Sequence, residues 1–480
     1  MSRDRLWLFL AVALPVLGAT LAMVSTVDLA YQVRAGDLML ASGMVLRTDP
    51  LTFTAGGDPW LNQQWGAGVV LALAFTPLGW AGLAVMRAAL VGLIIGLVCL
   101  GARLGGASPR SAALFALAGF MVGLPAFGLR PQLFGVVLFA LVLVLLAARG
   151  RHPAMIWVVP FIVVAWANVH GSFFLGPAAV AVAVIEDALA RRPGTTRLAA
   201  VLGLSLLATV ASPFGAGTWS YAFGLASSST LARLVTEWQR TSLLTVTGLL
   251  FYLSVAAAAG LVVAAARRGW RPGWPSLVWL VALAFLGAWA ERGVAWWAIG
   301  APIALAPAVA ALARKGAGPS VVGRAESPAL RRINLLLAGL LSLAIIVLQP
   351  AWRPSDPLTG PNGLLTDAPG PIATALAGKA GPADRVFNAQ RWGSWLEWAA
   401  PGIPLMVDSR IEVVPSEAWE DYLAISAGVS DWTSRLDRWG VTAVVASRTE
   451  QAALLPLLAA DPGWRQVHAD ADGELFVRAP

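Results

Sequence analysis

The sequence is poor in cysteine and in charge. Its one cysteine, Cys99, excludes a disulfide within the 480-residue chain and argues against a cysteine-based metal site. Charged residues make up 12% of the chain, whereas soluble domains carry roughly 25%. Hydrophobic residues make up 58%. This composition excludes a soluble globular protein and indicates a polytopic α-helical membrane protein that sits in a lipid bilayer.

The net charge of +8 does not indicate a nucleic-acid partner. The basic residues are not gathered in one patch but are spread among the short loops between apolar runs. In a membrane protein, the distribution of Lys and Arg among short loops indicates which loops face the cytoplasm. We therefore use the positive charge to predict topology, and we expect no nucleic acid among the partners.

Long apolar runs predict about eleven transmembrane helices. The first run follows a short basic start with Arg3 and Arg5. A cleaved signal peptide is the alternative for this run, but no small-residue cleavage pattern stands out and many spans follow it. The predicted spans are 6–25, 80–102, 111–128, 132–148, 154–168, 171–190, 198–213, 246–266, 275–290, 293–313 and 332–350.

The apolar segment 66–77 decides the topology. It is shorter than the ~20 residues that cross a bilayer, so we interpret it as a half-inserted or interfacial helix. With the N-terminus inside, every predicted inner loop is then basic, as the positive-inside rule requires; if 66–77 spanned, the basic loops would face outward. The predicted inner-loop residues are Arg103, Arg110, Arg149, Arg151, Arg191, Arg192, Arg197, Arg267, Arg268, Arg271, Arg314, Lys315, Arg324, Arg331 and Arg332.

Composition predicts two domains. Residues 1–350 form the transmembrane domain, in which 26–66 is the first outer loop. Residues 351–383, rich in Pro, Gly and Asp, are predicted as a linker, and 384–480 as a small α/β domain. The predicted strands are 385–387, 404–408, 441–446, 464–469 and 474–478, and the predicted helices are 392–398, 416–425, 431–439 and 451–460.

The predicted topology places the polar motifs on the outer side. These motifs were not used to derive the topology. Ionisable groups at membrane depth are costly, and they usually line a cavity or a path. We therefore predict a functional site on this side. The motifs are the loop Asp28–Trp65, Arg130-Pro131-Gln132, Asn168-Val169-His170-Gly171, the loop 214–245 with Glu237-Trp238, Glu291-Arg292, and the C-terminal region.

The same motifs carry a family resemblance. The first loop, with Asp28, Tyr31, Gly36, Asp49-Pro50, Trp60 and Asn62, resembles the first extracytoplasmic loop of GT-C type membrane glycosyltransferases. It is most similar to a largely uncharacterised bacterial group related to protein mannosyltransferases and oligosaccharyltransferases. Further along the chain the resemblance continues in Arg130-Pro131-Gln132, Trp166 to Gly171, Ser212-Pro213-Phe214-Gly215, Glu237-Trp238, Glu291-Arg292, Trp392-Gly393 and Asp408-Ser409-Arg410.

The resemblance implies transfer of a sugar from a polyprenyl-phosphate donor. The acceptor would be a glycan, glycolipid or protein of the cell envelope, on the outer face of the bacterial inner membrane. It leaves open a divalent cation, Mg²⁺ or Mn²⁺. Relatives carry an Asp-x-Asp-x-Trp-Trp-His run where this chain has Thr26-Val27-Asp28-Leu29-Ala30-Tyr31-Gln32, so the first acid, one Trp and the His are missing.

Asp28 and Asp49 are the predicted catalytic residues. Asp28 would be the general base that takes the proton of the acceptor hydroxyl, a role that typically contributes about 10²–10⁴-fold. Its alternative is a solvated acid or cap at a helix end. Asp49 would orient the acceptor or help hold a cation. Because it precedes Pro50, its alternative is a turn-forming residue.

Polar and aromatic side chains of the first loop are predicted to bind sugar. Amides offer paired donors and acceptors to hydroxyl groups, and tryptophan offers an apolar face. The alternative is an aromatic belt at the membrane interface. The predicted sugar-binding residues are Gln32, Trp60, Asn62 and Gln63, whereas Asp37 and Asp58 are interpreted as solvated surface acids.

Arg130 and Arg292 are predicted to bind the lipid phosphate. A guanidinium group matches phosphate oxygens in a fork. The alternative is that each side chain extends from a helix end to the interface. Gln132 belongs to the same motif as Arg130, and Glu237 is predicted to orient the acceptor or to plug the cavity.

Two further pairs are predicted to contact substrate. His170 could bind phosphate, or it could be a buried residue paired with Asn168. Asp408 and Arg410 could contact the acceptor, or they could form a structural ion pair. The chain contains no phosphate-binding glycine loop, which favours a lipid-linked donor over a nucleotide-linked one.

The leading hypothesis is an inverting glycosyltransferase of GT-C type. The missing acid and His favour a second hypothesis, a non-catalytic protein of this fold that binds or assembles envelope glycans. A transporter is the third, but a transporter needs a polar path through the midplane, and the polar motifs lie on one side.

Overall fold

A computed structural model describes residues 1–227, 235–316 and 326–479 of the chain. Arg324, predicted in an inner loop, and residues 228–234 of the predicted outer loop 214–245 lie outside these ranges, as does Pro480. The chain divides into two compact units. The helical unit comprises Met1–Ala22, Ala84–Ser227 and Ala232–Trp352, and the mixed unit comprises Met23–Leu83 and Arg353–Pro480.

Apolar helices account for all eleven predicted spans. Seven helices in the described residues are long and apolar enough to cross a membrane, and four more are apolar but shorter. The chain is therefore a multi-pass membrane protein, while the count of eleven spans stays a prediction. The long helices are Arg3–Leu21, Trp65–Leu104, Pro131–Ala148, Gly171–Leu189, Val246–Arg267, Glu291–Ala313 and Pro328–Val347; the shorter ones are Pro109–Val122, Pro153–Ala167, Thr195–Ala208 and Trp274–Trp289.

The helix Trp65–Leu104 is broken near its first third. Pro77 lies inside it, and Gly79 has non-helical angles, with φ 57° and ψ −154°. Proline removes a helical hydrogen bond and clashes with the preceding turn, and glycine alone adopts such a positive φ without strain. The apolar segment before the break is thus a helix of its own, as predicted for 66–77, and it belongs to the mixed unit.

Small residues allow close helix packing in the helical unit. A Cβ atom added to Gly119 would lie 2.4 Å from the carbonyl oxygen of Ala298. The helix Pro109–Val122 can therefore approach Val294–Gly316 only because Gly119 has no side chain. The unit also contains the helix Gly217–Ser227 and short 3₁₀ turns at Leu124–Phe127, Pro153–Val158, Gly171–Phe174, Thr236–Trp238, Glu291–Gly293 and Pro350–Trp352.

The mixed unit contains the predicted α/β region. Its four-stranded sheet has the order Val386–Asn388, Ala443–Ser447, Gly473–Arg478 and Trp464–Ala469; the first pair is parallel and the others are antiparallel. The strand Ala443–Ser447 is fully buried. The helices are Ala30–Ser42, Gly370–Ala377, Gln390–Ala399, Ser416–Ser426, Trp432–Arg438 and Leu455–Ala460.

Two segments of the mixed unit differ from their predictions. The predicted strand 404–408 forms only isolated bridges, in which Leu405 is paired with Thr52 and Val386. Backbone hydrogen bonds join Val386 to Pro404 and to Met406. The side chain of Asn388 adds to this pairing: its amide N–H donates to the Val407 carbonyl, and its oxygen accepts from the N–H groups of Met406 and Val407. The predicted linker 351–383 carries ordered elements at Ser355–Asp356, Gly360–Pro361, Leu365–Thr366 and Gly370–Ala377, and Leu365–Thr366 pairs in parallel with Val24–Ser25.

Candidate functional site

Arg130 and Arg292 each lie immediately before a helix of the helical unit. Arg130 has an extended backbone and is the N-cap of Pro131–Ala148, because a proline disfavours helical angles at the residue before it. Arg292 lies in the turn Glu291–Gly293, which leads into Val294–Gly316. The side-chain amide of Gln132 donates to the carbonyl oxygen of Arg292 at 3.1 Å. This hydrogen bond joins the two helix starts.

His170 lies before a third helix start. Its Nδ1 accepts a hydrogen bond from the backbone N–H of Ser172 at 3.2 Å and lies 2.7 Å from the Ser172 hydroxyl. The indole N–H of Trp166 donates to that hydroxyl at 3.1 Å, so the hydroxyl proton is directed to His170. The neutral ring then carries its proton on Nε2. Asn168 bonds instead to the carbonyls of Val164 and Ala211, so the partner of His170 is Ser172 and not Asn168.

A pocket of about 210 Å³ lies at the starts of the Arg130 and Arg292 helices. Nη2 of Arg130 is 2.6 Å from Oε1 of Glu237. The guanidinium of Arg292 lies 4.5 Å from the centre of the Trp238 ring. Four of the predicted binding residues thus share one cavity, which we call the arginine pocket. Its polar lining consists of Arg130, Gln132, Glu237, Glu291 and Arg292, with Thr236 and Thr247.

The electrostatics of the arginine pocket are set by two arginines and two glutamates. Burial alone would raise the pKa of Glu237, but Arg130 and Arg292 outweigh it and hold that pKa below its usual range. Burial, together with Arg292 and Arg130, holds the pKa of His170 well below its usual value. The pocket lining therefore holds two arginines and two glutamates, Glu237 and Glu291, while the imidazole of His170, which is not part of that lining, is neutral at neutral pH. Helix N-termini add partial positive charge and backbone N–H donors, an arrangement that favours phosphate groups.

An apolar groove of about 460 Å³ borders the arginine pocket. Val122 lines the groove, and the next residue, Gly123, lines the pocket. On another helix, Ala298 lines the groove and Ala295, about one turn before it, lines the pocket. The groove runs among Pro109–Val122, Val246–Arg267 and Val294–Gly316. A polar pocket beside an apolar groove suits a ligand that has an anionic head and a hydrocarbon tail.

Charged residues also mark the opposite end of these helices. Arg149 follows the helix Pro131–Ala148, about 27 Å from its start at 1.5 Å per residue. Its guanidinium contacts Asp187 at 3.0 Å and Glu186 at 2.7 Å, and Arg192 contacts Asp187 at 2.8 Å. Arg130 and Arg149 thus lie at opposite ends of one helix, which agrees with their predicted location on opposite membrane sides.

A second set of predicted residues surrounds Arg410 in the mixed unit. Nη1 of Arg410 is 2.8 Å from Oδ1 of Asp49, Nε is 2.7 Å from Oδ2 of Asp408, and Nη2 is 3.8 Å from Oε1 of Glu397. None of these four side chains is more than 1% exposed. We call these residues the Arg410 cluster. Because the guanidinium is surrounded by acids and fully desolvated, the cluster resembles a structural ion network.

The surroundings of Asp49 favour its interpretation as a turn residue. Its carboxylate accepts hydrogen bonds from the backbone N–H groups of Leu51 and Thr52, both at 3.1 Å, and from the Thr52 hydroxyl at 2.5 Å. Trp60 covers the same cluster, with its ring centre 4.5 Å from the Arg410 guanidinium. Trp60 is 4% exposed. It is therefore neither an open face for sugar nor part of a belt at the membrane interface.

The other predicted residues of the first loop are also largely buried. Gln32 donates to the Tyr31 hydroxyl at 2.8 Å and to Oε1 of Gln64 at 3.1 Å. Asn62 and Gln63 are 2% and 1% exposed. Asp28 is only half-buried, in the turn before Ala30–Ser42. Burial, followed by the charge of Asp28, raises the pKa of Tyr31 well above its usual value.

A metal-binding group built from three or more protein side chains is absent from the described residues. Nowhere in residues 1–227, 235–316 and 326–479 do three or more His, Cys, Asp or Glu side chains form a group that could hold a metal ion. The acids of the Arg410 cluster surround a guanidinium instead.

Sequence reasoning did not identify Glu397 or Ser172. Glu397 lies in the helix Gln390–Ala399, between Trp395 and Trp398. A lone acid among large apolar side chains is a signal that could have indicated a buried, functional or paired carboxyl group. Ser172 was detectable as a hydroxyl two residues after His170, the spacing of a side chain that bonds at a helix start.

No protein-family model and no curated protein matches the chain. Solved structures do match over nearly its whole length. An oligosaccharyltransferase from Archaeoglobus fulgidus, in its apo form, has a TM-score of 0.55 at 13% identity, with 98% of this chain and 74% of that chain covered. ArnT from Cupriavidus metallidurans, in the apo state, has a TM-score of 0.52 at 18% identity, with 98% and 97% covered.

Two more matches extend this result. The same ArnT bound to undecaprenyl phosphate has a TM-score of 0.50 at 17% identity, with 99% of this chain and 98% of that chain covered. The arabinofuranosyltransferase AftD from Mycobacteria has a TM-score of 0.58 at 19% identity, with 99% of this chain but 42% of that chain covered. The chain has the fold of GT-C type membrane glycosyltransferases, as the first-loop motifs predicted.

Proposed function

We propose that this chain is a glycosyltransferase that moves a sugar from a polyprenyl-phosphate donor to an acceptor of the cell envelope. The observation that carries the proposal is the arginine pocket with the apolar groove beside it. The pocket offers two guanidinium groups at helix starts for a phosphate, and the groove offers a surface for a prenyl chain. ArnT, which shares the fold, has been solved with undecaprenyl phosphate bound.

The proposed reaction is a single displacement with inversion. The acceptor hydroxyl oxygen attacks the anomeric carbon, a new glycosidic bond forms, and the bond from that carbon to the phosphate oxygen breaks. Arg130 and Arg292 bind the phosphate and stabilise the negative charge it gains as leaving group. Asp28 takes the hydroxyl proton. The assignment of Asp28 rests on its position in the first loop and on the family resemblance.

Glu237 has a separate role in this proposal. Its carboxylate contacts Arg130 at 2.6 Å, and its neighbour Trp238 covers Arg292. Before donor binds, Glu237 and Trp238 therefore occupy the two arginines. The donor phosphate displaces the Glu237 carboxylate, and the freed acid then orients the acceptor hydroxyl.

We also propose that the chain lies in the bacterial inner membrane with its N-terminus in the cytoplasm and its C-terminal region outside. The basic inner loops support this orientation. Alkaline phosphatase, which is active only outside the cytoplasm, can be fused after residue 479. Strong activity of this fusion, compared with the same enzyme fused after Arg151, is the expected result. The reverse pattern would overturn the orientation.

The activity is tested with the full chain in lipid nanodiscs. A panel of polyprenyl-phosphate sugars is supplied with envelope glycan acceptors, and release of polyprenyl phosphate is measured. We expect turnover by the wild type, loss of donor binding in Arg292→Ala, and a fall in turnover of roughly 10²-fold or more in Asp28→Asn with donor binding retained. Asp58→Asn removes an exposed acid from the same loop and serves as the matched control.

Each other outcome has a defined meaning. Turnover that Asp28→Asn leaves unchanged would remove Asp28 as the base. Binding of undecaprenyl phosphate without turnover of any donor would favour the alternative function, a non-catalytic protein that binds or assembles envelope glycans. Absence of both binding and turnover would overturn the proposed function altogether.

A further inference from the structure

The start of the first loop is held by a short segment of the C-terminal region. Val24–Ser25 pairs in parallel with Leu365–Thr366, and the backbone N–H of Thr26 donates to the carbonyl oxygen of Thr366 at 3.3 Å. Both segments belong to the mixed unit. A pair of strands this short is marginally stable by itself, so its position depends on the contacts beside it.

Asp367, the residue after this strand, has a left-handed backbone conformation. Its φ is 61°, and among the described residues other than glycine only Arg191 also has a positive φ. This conformation is unfavourable for an L-residue, although aspartate tolerates it better than most because its side chain can hydrogen-bond locally. Such a conformation persists only where the surrounding contacts determine it, and it occurs mostly at functional sites.

The Asp367 carboxylate contacts three donors. Its Oδ2 accepts hydrogen bonds from the hydroxyl groups of Ser25 and Thr366, both at 3.0 Å. Its Oδ1 lies 2.9 Å from Nε of Arg391, in the first turn of the helix Gln390–Ala399. Asp367 therefore joins the first loop, through Ser25, to a helix of the C-terminal region.

The backbone of Asp367 holds the next residue of the first loop. The hydroxyl group of Thr26 donates to the carbonyl oxygens of Asp367, at 2.9 Å, and of Thr366, at 3.1 Å. The carbonyl oxygen of Thr26 accepts a hydrogen bond from the backbone N–H of Ala30 at 3.0 Å. Thr26 is 0% exposed. These bonds fix Thr26 on both sides and, with it, the turn that carries Asp28.

We propose that Asp367 is a positioning residue for Asp28. Through Ser25 and Thr26 it fixes the backbone two residues before Asp28, and so the place where the Asp28 carboxylate meets the acceptor hydroxyl. The inference rests on the proposed function, in which Asp28 takes the proton of that hydroxyl. A base acts only within hydrogen-bond reach of its proton, and a displacement of about 1 Å can lower a rate roughly 10²-fold. Loss of Asp367 should therefore lower turnover without weakening donor binding.

The first test measures hydrogen exchange of the backbone amides of residues 24–30, by mass spectrometry on the full chain in nanodiscs without donor or acceptor. Asp367→Gly adopts the same φ without strain but removes the carboxylate contacts. We expect these amides to exchange about tenfold faster in this variant. Asp367→Asn keeps an acceptor for the Ser25 hydroxyl and tolerates the same φ, so it should stay close to the wild type. Asp472→Gly makes the same substitution at an exposed residue of the mixed unit and is the matched control.

The second test measures turnover and binding of undecaprenyl phosphate in the same variants. We expect kcat to fall roughly 10–10²-fold in Asp367→Gly, with the Kd of undecaprenyl phosphate unchanged. Asp367→Asn should retain most of the turnover. The double variant Asp28→Asn/Asp367→Gly should be no slower than Asp28→Asn alone, because residues that act through one another have non-additive effects. A general loss of structure would instead add to the effect of Asp28→Asn.

Three results would overturn the proposal. They are wild-type exchange of residues 24–30 in Asp367→Gly, an unchanged kcat in that variant, and a double variant slower than Asp28→Asn by the full factor of Asp367→Gly. Ser25→Ala removes one of the same contacts from an exposed residue and should shift exchange and kcat in the same direction. It keeps both tests valid where Asp367→Gly fails to fold. If the wild type turns over no donor, the proposed function fails by itself, and the exchange rates alone decide whether Asp367 fixes the turn.

Discussion

The arginine pocket and the Arg410 cluster combine the same residue types in different surroundings. Each sets arginine against carboxylates and places a tryptophan ring about 4.5 Å from a guanidinium. In the pocket, the side chains of Arg130 and Glu237 are 20% and 32% exposed. In the cluster, those of Arg410 and Asp49 are 1% and 0% exposed. The first can exchange partners with a ligand, and the second cannot do so without unfolding locally.

The arginines of the two sites also differ in their position relative to helix N-termini. Arg130 and Arg292 stand at helix N-termini, where backbone N–H groups have no partner within the helix. Arg410 instead meets two carboxylates, while burial, followed by the charge of Asp408, raises the pKa of Glu397 well above its usual range. Arginine with acid in a sequence is thus not enough to predict binding. The partial exposure of the charged side chains, the open space beside them and the nearby helix N-termini separate a binding site from a structural ion pair.

Among the variants that test this comparison, the one that removes Arg410 should have the largest effect, which is a loss of stability. Arg410→Met leaves Asp49 and Asp408 buried without a counter-charge, and breaking a buried pair in this way costs about 3–5 kcal/mol. We expect a strongly lowered melting temperature, followed by tryptophan fluorescence in nanodiscs. Arg465→Ala is the control and should change little. A melting temperature equal to the wild type would show that the cluster does not stabilise the mixed unit.

Arg292→Ala should instead affect binding more than stability. Loss of charged hydrogen bonds of roughly 1.5–3 kcal/mol corresponds to about 10–150-fold weaker binding of undecaprenyl phosphate. The measurement is the Kd in nanodiscs, paired with the melting temperature. Arg240→Ala removes an exposed arginine that does not line the pocket and is the matched control. Equal affinity in both variants would assign lipid binding to another part of the helical unit.

At these two sites, features formed by residues close in sequence were predictable, and contacts between residues distant in sequence were not. Apolar runs and the Arg130-Pro131 helix start are local features, so the helices and the position of Arg130 were predictable. Asp408 and Arg410 are two residues apart, and their pairing was foreseen as an alternative. Asp49 lies far from both in sequence, and its contact with Arg410 depends on how the first loop packs on the C-terminal region. No local pattern carries that information.

Glu397 and His170 should give opposite pH dependences of stability. The pKa of Glu397 is raised on folding, so the unfolded chain loses this proton first, and stability falls as pH rises above about 4.5. The pKa of His170 is lowered on folding, so its contribution is lost as pH falls below about 6.5. Glu397→Gln should therefore gain stability over the wild type with rising pH, by up to about 1.4 kcal/mol per pH unit.

The measurement for Glu397 is the free energy of unfolding in nanodiscs between pH 5 and 8. Glu420→Gln changes an exposed acid of the same unit, and its difference from the wild type should stay constant over this range. A constant difference for Glu397→Gln as well would show that Glu397 is ionised in the folded protein. The Arg410 cluster would then carry a third negative charge, and its electrostatics would differ less from those of the arginine pocket.

The smallest expected effect is a gain of affinity in the arginine pocket. Glu237→Gln removes the carboxylate that competes with phosphate for Arg130. Ion pairs as exposed as this one contribute roughly 0.2–1 kcal/mol, so undecaprenyl phosphate should bind up to about fivefold more tightly. Glu291→Gln removes the same charge from the pocket while the contact between Glu237 and Arg130 remains, and it should change the Kd less. Weaker binding in Glu237→Gln would show that Glu237 holds Arg130 in position for the phosphate. In the arginine pocket, as in the Arg410 cluster, the carboxylate would then remain bound to its arginine.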